Sequence, residues 1–527
     1  MKVLVSDNLG EIGIQLFQQE EGIDVDVKTG LAPEALKDII GEYDALVIRS
    51  ATKVTEDLLE AANRLKVVGR AGIGLDNVDI PAATKRGIVV MNTPGGNVVT
   101  TAEHTIAMMM ALTRNIPRAT ASLKAEKWEK KLLQGREIFN KTLGVIGFGK
   151  IGAVVADRAR GLKMRVIVFD PNVTPERIEK AGFESASLEE LYQQADYITV
   201  HVPKLPKTTG LLNKAAFDQM KDGVMVLNCA RGGIINQNDL YDAMQSGKVA
   251  GAALDVFETE PPGDLPLLQM DNVIATPHLG ASTKEAQTNV AVAVAKQIIA
   301  YLKTGTIINA VNVSSVTGEL LEKLSPYLKL ADALGSIQAQ LSQGPFEEIA
   351  IEYKGDFHGL DLSPVTTAII KGFLTPLVMD DVNSVNAPII ARDMGIKVTE
   401  TMTGESEDYT HLINVRVVSP KASNLVAGTI FGKNDPRIVR INKFRLELIV
   451  RKGFFVLINN YDKPGAIGSI GTVMGSNDIN ISRMQVGQEE GGNRTLIFIR
   501  VDQPIPEDVL ESLRSLPMVI SATPFEL

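Results

Sequence analysis

The chain has a single cysteine, Cys229, among 527 residues. One thiol excludes an internal disulfide and any cysteine-built metal cluster, and no metal site is expected. Positive charge is also short: 54 Lys and Arg stand against 63 Asp and Glu, a formal net charge of −9. Without an overall positive field, neither nucleic acid nor an acidic membrane is an expected partner. Long apolar runs are missing too. The opening Met1-Lys2-Val3-Leu4-Val5 is too short for a signal peptide. No later stretch reaches the roughly 18 apolar residues of a membrane span. These shortages describe a soluble, cytoplasmic protein.

What is present is an ordinary globular composition, 45% hydrophobic and 22% charged, in a chain too long for one core. Residues 1 to about 98 alternate strand-like segments (Lys2–Ser6, Ala45–Ile48, Val67–Gly69, Ile88–Met91) with amphipathic ones such as Pro33–Ile40 and Glu56–Asn63. Alternation of this kind means a parallel sheet with helices on both faces. Ligands of such sheets bind beyond the carboxyl ends of the strands. Those ends carry Arg49-Ser50, Arg70-Ala71-Gly72-Ile73-Gly74 and Asn92-Thr93-Pro94-Gly95-Gly96-Asn97. Two arginines, a hydroxyl, an amide and exposed glycine N–H groups suit a small, doubly anionic ligand. Taken singly they read as solvated arginines and turn glycines; recurrence at successive strand ends favours a site.

The stretch Leu143–Ile146 reads as a buried strand, followed by Gly147-x-Gly149-x-x-Gly152 and a helical pattern from Ala153 to Leu162. A second strand, Val166–Phe169, ends in Asp170. Gly147 permits the tight turn, Gly149 admits a pyrophosphate to the backbone, and Gly152 lets helix and sheet pack closely. The helix N-terminus offers unpaired N–H groups to phosphates. Asp170 stands where a carboxylate accepts from both ribose hydroxyls and repels a 2′-phosphate, so NAD is favoured over NADP. The run Met108–Met110 reads as core filler.

The second half of this unit repeats the pattern. Strands Tyr197–Val200, Val224–Leu227, Gly251–Leu254 and Val273–Ala275 end in His201-Val202, Asn228-Cys229-Ala230-Arg231-Gly232-Gly233, Asp255, and Thr276-Pro277-His278-Leu279-Gly280. Arg231, Glu260 and His278 follow three successive strands. Hydride removal from an alcohol needs a neighbour to take the hydroxyl proton, and imidazole titrates in the useful range. A carboxylate beside it would orient the ring and stabilise the charge it acquires. A guanidinium can clasp a substrate carboxylate and polarise the forming carbonyl. Singly, these three read as a surface arginine, a turn carboxylate before Pro261-Pro262, and a packed histidine. His104, His201, His358 and His411 keep that last reading. Cys229 lacks a flanking base and is no nucleophile.

A long apolar helix around Ala291–Leu302, followed by Asn309–Asn312, closes back on the first unit. From about residue 316 to 452, helices (Tyr327–Leu341, Pro364–Leu377) mix with extended segments (Glu348–Tyr353, Leu412–Val418, Leu446–Val450). Arg437, Arg440, Lys443 and Arg445 read as a solvated face rather than an anion site. From Phe454 the order is strand, helix, strand, strand, helix, strand, a small sandwich that reads as a stable module by itself. Asn459 to Gly465 and Asn480 place polar groups at its rim.

The motifs around Gly147, Asn228–Gly233, Leu254–Pro262 and Pro277–Ser282 together resemble the D-isomer-specific 2-hydroxyacid dehydrogenases over residues 1–315. Arg49–Val54 and Arg70–Asp79 are similar to the branch of that family that oxidises 3-phospho-D-glycerate. The extension resembles the branch's long form, with an intervening domain of the allosteric substrate-binding type and an ACT regulatory domain. The resemblance implies an α/β chain of two doubly wound parallel-sheet domains, one Rossmann-like and one flavodoxin-like. An α+β intervening domain and a ferredoxin-like βαββαβ domain would follow. It implies a substrate domain over 1–98 to which 286–315 returns, an NAD-binding domain over 99–285, an intervening domain over 316–452 and an ACT domain over 453–527.

The resemblance also assigns residues. Arg231, Glu260 and His278 would be catalytic. Gly147, Gly149, Lys150, Ile151, Gly152, Asp170, Val202, Cys229, Ala230, Arg231, Asp255, His278, Leu279, Gly280 and Ala281 would line NAD. Arg49, Ser50, Gly72, Ile73, Gly74 and Asn97 would hold the substrate, 3-phosphoglycerate. Ile73 and Val202 replace threonines of some relatives, so any side-chain hydrogen bond to cofactor there must be lost or come from backbone. Asn460, Asp462 and Asn480 resemble positions that bind an effector amino acid, usually L-serine. A homodimer or homotetramer is implied. The reaction expected is oxidation to 3-phosphohydroxypyruvate, the entry to serine synthesis. The alternatives are a glyoxylate or hydroxypyruvate reductase of the same family, and a non-enzymatic NAD(H) sensor like its corepressor branch.

Overall fold

A computed structural model describes residues 1–313, 319–342, 344–378, 382–405, 408–420 and 422–526. The first sheet has five parallel strands, in the order Asp24–Val27, Lys2–Val5, Ala45–Ile48, Val67–Arg70, Val89–Met91. Four of them are near-continuous apolar runs, as parallel strands covered on both faces must be. The fifth, Asp24–Val27, alternates acid and valine and lies exposed at the edge; its polarity hid it from sequence reading. The helix Lys284–Thr304 returns to this sheet and buries Val290, Ala291, Val294, Ala295 and Ile298 against Val3, Val47 and Val67. Beyond it, Asn312 Oδ1 accepts from the Val90 N–H at 2.9 Å. The boundary expected at 315/316 falls outside the described residues.

The second sheet has seven parallel strands running Val273–Ala275, Val249–Leu254, Val224–Asn228, Tyr197–Val200, Thr142–Ile146, Arg165–Phe169, Glu184–Ser185. Chain order reverses beside Thr142–Ile146, the switch point at which open α/β sheets bind ligands. The helix Val98–Thr113 buries Met108 and Met109 beneath this sheet, as expected of core filler.

A third, mixed sheet of ten strands contains the described strands after residue 345. Its order is Lys397–Thr403, Glu348–Gly355, His411–Ser419, Ala422–Phe431, Asp435–Ile441, Phe444–Ile449, Ile481–Glu489, Arg494–Val501, Phe454–Tyr461, Val519–Glu526. The last four strands, with helices Ala466–Ser476 and Glu507–Arg514, are the βαββαβ unit. Its sheet is not free-standing. Phe444 and Arg445 pair with Glu489 and Gln488 across the junction, so the two sheets are one. Alternate residues of Phe454–Tyr461 also point to different cores. Val456 and Ile458 pack on the unit's own helices, whereas Phe455 and Leu457 join the core of the preceding domain. Phe455, Phe498 and Phe525 cluster on that second face with ring centroids 4.9–5.2 Å apart. The unit expected to be a stable module by itself shares its sheet with the preceding domain, and both of its apolar faces are covered. Among the described residues no helix is long and apolar enough to cross a membrane.

Candidate active site

The glycine loop lies between the strand Thr142–Ile146 and the helix Lys150–Gly161. Gly147 has φ 98°, and a Cβ there would stand 2.6 Å from the His201 carbonyl oxygen. A Cβ on Gly152 would stand 1.9 Å from Gly147 O, so helix and turn touch backbone to backbone. Gly149 is different: nothing lies within 4 Å of its Cβ position. That open space over a helix N-terminus fits a pyrophosphate. Asp170 closes the loop from beneath, its Oδ2 accepting from Phe148 N at 2.7 Å and its Oδ1 from Asn172 N at 2.8 Å. Each carboxylate oxygen has a further lone pair to offer a ribose hydroxyl. Val202 Cγ1 packs 2.8 Å from the Gly147 Cβ position. These residues fit NAD.

The next turn is stapled by a residue that sequence reading left unused. Buried Asn228 accepts from Ala230 N (3.0 Å) and donates to Arg231 O (2.8 Å), fixing the loop Asn228–Arg231. Cys229 is buried beneath it, and burial pushes its thiol up to about 12 despite a hydrogen bond from Thr105. A thiol so protonated is no nucleophile. His201 is likewise structural: burial lowers it to about 4, and its Nε2 pairs with Thr199 Oγ1 at 2.9 Å.

Asp255, 1% exposed, organises the third turn. Its carboxylate accepts from Thr276 Oγ1 (2.6 Å), Leu279 N (2.7 Å) and Gly280 N (2.8 Å), and His104 Nε2 is 3.2 Å away. Burial pushes this carboxyl upward, but those bonds outweigh it and hold the pKa below the ordinary value. His104 is a packed, structural histidine that steadies the turn through Asp255. The turn imposes φ 56° on His278, a left-handed backbone that costs a β-carbon residue energy and marks functional sites. His278 Nδ1 lies 2.7 Å from Glu260 Oε2, while Glu260 Oε1 accepts from Phe257 N at 3.1 Å. With Nδ1 held by the carboxylate, Nε2 is the nitrogen left for chemistry. Gly232 lets the two turns meet, since a Cβ there would stand 1.7 Å from Phe257 O.

The first sheet faces these turns with its own loops. Asp7 pins one of them, accepting from Arg49 N (2.6 Å), Thr52 N (3.1 Å) and Thr52 Oγ1 (2.7 Å). Arg49 Nη1 donates to Asn8 O at 3.0 Å, and Ser50 is exposed. Arg70 Nε donates to Arg49 O at 3.2 Å. Burial first, then the charge of Arg231, lowers the Arg70 guanidinium to about 10. Sequence reading counted Arg70 among the strand-end arginines without giving it a role. In the loop 72–74, Gly72 O accepts from Thr93 N and Ile73 O from Asn92 Nδ2. Among the described residues the Ile73 and Gly74 N–H groups have no partner. Asn97 Oδ1 is buried without one as well. The lobes meet at Arg231, whose Nε donates to Asp76 Oδ2 at 2.9 Å and whose Nη1 donates to Ala230 O at 2.7 Å.

The effector residues do not converge within one chain. Asn460 is 1% exposed, its Oδ1 accepting from Thr495 Oγ1 and its Nδ2 donating to Tyr461 O. Asp462 is exposed beside it. Asn480 instead precedes Ile481, which lies level with Val501 and Phe454 at the other end of the sheet. Six residues of strand, about 20 Å, separate the two positions. Of the cluster expected to be a solvated face, Arg440 and Arg445 are 41% and 59% exposed and pair with Glu490 and with Asp408 and Glu490, whereas Arg437, only 14% exposed, pairs with Asp435 and Glu447.

Comparison with known proteins agrees with this fold. Residues 106–280 match the family model "D-isomer specific 2-hydroxyacid dehydrogenase, NAD binding domain". Residues 323–442 match "D-3-phosphoglycerate dehydrogenase intervening domain" and 454–517 match "ACT domain". The solved D-lactate dehydrogenase of Aquifex aeolicus, complexed with NAD and lactic acid, is 29% identical with a TM-score of 0.52. That likeness covers 57% of this chain and 96% of the other. Fold and site thus define an NAD-dependent dehydrogenase. The D-3-phosphoglycerate dehydrogenase of Bacillus subtilis is 42% identical, covering 100% of this chain and 99% of its own. The protein of that name from Archaeoglobus fulgidus is 43% identical over 100% of both chains. The chain belongs to the D-3-phosphoglycerate dehydrogenase family.

Proposed function

We propose that the chain oxidises C2 of 3-phospho-D-glycerate, giving 3-phosphohydroxypyruvate, with the residues built into the cleft in the following roles. The glycine loop and Asp170 would hold NAD, which would supply the hydride acceptor for C2. His278 Nε2 takes the hydroxyl proton, its ring aimed by Glu260 through Nδ1. Arg231, on the same lobe as His278, has N–H donors remaining for the substrate carboxylate and the forming carbonyl oxygen. The unpaired N–H groups of Ile73 and Gly74 suit the same carboxylate. Arg49, Ser50 and Asn97 hold the phosphate, with the positive charge of Arg70 behind them.

The observation that carries this reading is the 2.7 Å contact of His278 with Glu260, on a backbone bent to φ 56°. NADH absorbance on adding 3-phosphoglycerate to enzyme and NAD tests it. Turnover of glyoxylate or unphosphorylated hydroxypyruvate with none of 3-phosphoglycerate would select the reductase reading. NADH binding without turnover of any of them would select the sensor.

The reading extends to regulation and assembly. L-serine acts through the βαββαβ unit, and an effector touching Asn460, Asp462 and Asn480 takes Asn480 from a second copy. Ile116, Leu123, Trp128, Leu132 and Phe139 leave large apolar side chains exposed within a short stretch, Trp128 at 82%. Such a patch supports a homo-oligomer, here one of the reducing cytoplasm, where a lone thiol stays free.

A further inference from the structure

Arg231 and Asp76 come from different lobes, 155 residues apart in sequence. Among the described residues two acceptors hold the guanidinium. Ala230 O belongs to its own turn and takes Nη1, whereas Asp76 Oδ2 reaches across the cleft and takes Nε at 2.9 Å. The consequence for direction is visible at Gly74, where a Cβ would stand 1.8 Å from Arg231 Nη2. Asp76 Oδ2 itself is 3.1 Å from that Cβ position. Gripped by its Nε edge, the planar fork therefore lies against the 72–74 loop with Nη2 beside Gly74. A guanidinium has its five donors fixed in one plane, so fixing Nε fixes the aim of Nη2.

We infer that Asp76 is a positioning residue for the dehydrogenase reaction: it sets the aim of Arg231, and does so only when the two lobes have come together. Ala230 O alone leaves the side chain free to turn about its long stem. With the cleft open, Asp76 is carried away by the other lobe, and Arg231 is no longer aimed. Alignment of the guanidinium with the substrate carboxylate is thereby tied to closure, the state in which water is excluded from the reacting carbon. Asp76 touches neither substrate nor cofactor in this account. Its carboxylate is 61% exposed and Arg231 27%, so the pair acts through geometry more than through strength.

The inference rests on the reading of Arg231 as a substrate-binding group, and the test separates the two. Steady-state oxidation of 3-phosphoglycerate is measured for D76A, D76N, R231K and R231K/D76A, with NADH affinity followed by fluorescence. D76A is expected to lose about 10-fold or more in kcat, as misaimed groups do, with NADH affinity unchanged. D76N should recover most of the rate, because its amide oxygen still accepts from Nε. In R231K, adding D76A should change nothing further. Wild-type kcat in D76A, D76N as slow as D76A, or the same loss from D76A in both backgrounds would each overturn the role of Asp76 while leaving Arg231 in place. A wild-type rate in R231K would instead overturn the reading of Arg231, and the inference with it.

Discussion

Glu260 and His278 sit in two different turns, 18 residues apart, and meet at 2.7 Å through Oε2 and Nδ1. The contact selects the tautomer with the proton on Nδ1, leaving a basic Nε2. Replacement of His278 by Ala should lower kcat by at least about 10²-fold, with NADH binding retained. Glu260→Gln should cost less, because an amide can still orient the ring. A wild-type rate in the His278 variant would remove the imidazole from the mechanism.

Gly74 has a steric reason to be glycine, although its backbone is not left-handed. Gly74→Ala puts a methyl group onto Arg231 Nη2. The arginine can move aside, so the melting temperature should change little. Displacement should instead appear as a loss of about 10-fold or more in kcat/KM, read by steady-state kinetics with NADH affinity as the control.

Arg49 tests the phosphate position. Among the described residues its side chain is held only by Asn8 O, so its charge remains available. Arg49→Ala should weaken binding of the phosphorylated substrate by about 1.5–3 kcal/mol, as loss of a charge-assisted bond does. Calorimetric titration with substrate would show it. Unchanged affinity would put the phosphate elsewhere.

Asp255 gives the protein an acid-side liability. Its folded pKa lies below the ordinary value, so it binds a proton less readily folded than unfolded. The stability it contributes is fully present above its unfolded pKa of about 4 and is lost as pH falls below that. Asp255→Asn should cost about 1–3 kcal/mol near neutrality by unmatching buried donors. Urea midpoints against pH should also decline less steeply below pH of about 4 in the variant; an unchanged slope would assign the acid limb to other carboxyls.

The carboxyl-terminal βαββαβ unit should not behave as an independent module. Expressed from residue 453 onward, it exposes Phe455, Leu457, Leu496, Phe498 and Phe525, all buried in the intact chain. The fragment should bind an apolar dye more strongly than the whole chain and aggregate where the whole chain keeps a defined oligomer. A monomeric, dye-silent fragment would show that the preceding domain is dispensable for its fold.

Most of the catalytic body could be read from the chain because parallel strands advertise themselves. They are buried on both faces, so each is an uninterrupted apolar run, and each exits into the loop that holds its functional residues. Gly147, Arg231 and His278 were legible for that reason. Asp24–Val27 was not, because an exposed edge strand need not be apolar. The strands Lys397–Thr403, Ala422–Phe431 and Asp435–Ile441 were also missed, their patterns broken by polar residues and by register shifts in the pairing of the last two.

By itself the sequence determined what depends on near neighbours in the chain: the glycine turn, the strand exits, the helix that follows each strand, and the residue types fit for hydride chemistry. The tertiary structure alone decided what depends on encounters between distant segments. Asp76 meets Arg231, His104 meets Asp255, and Phe455 finds a second core, because the lobes and sheets pack in one particular way. Asn480 parts from Asn460 for the same reason. Periodicity along a chain specifies a residue's face and its element, but only packing between elements specifies what that face will touch.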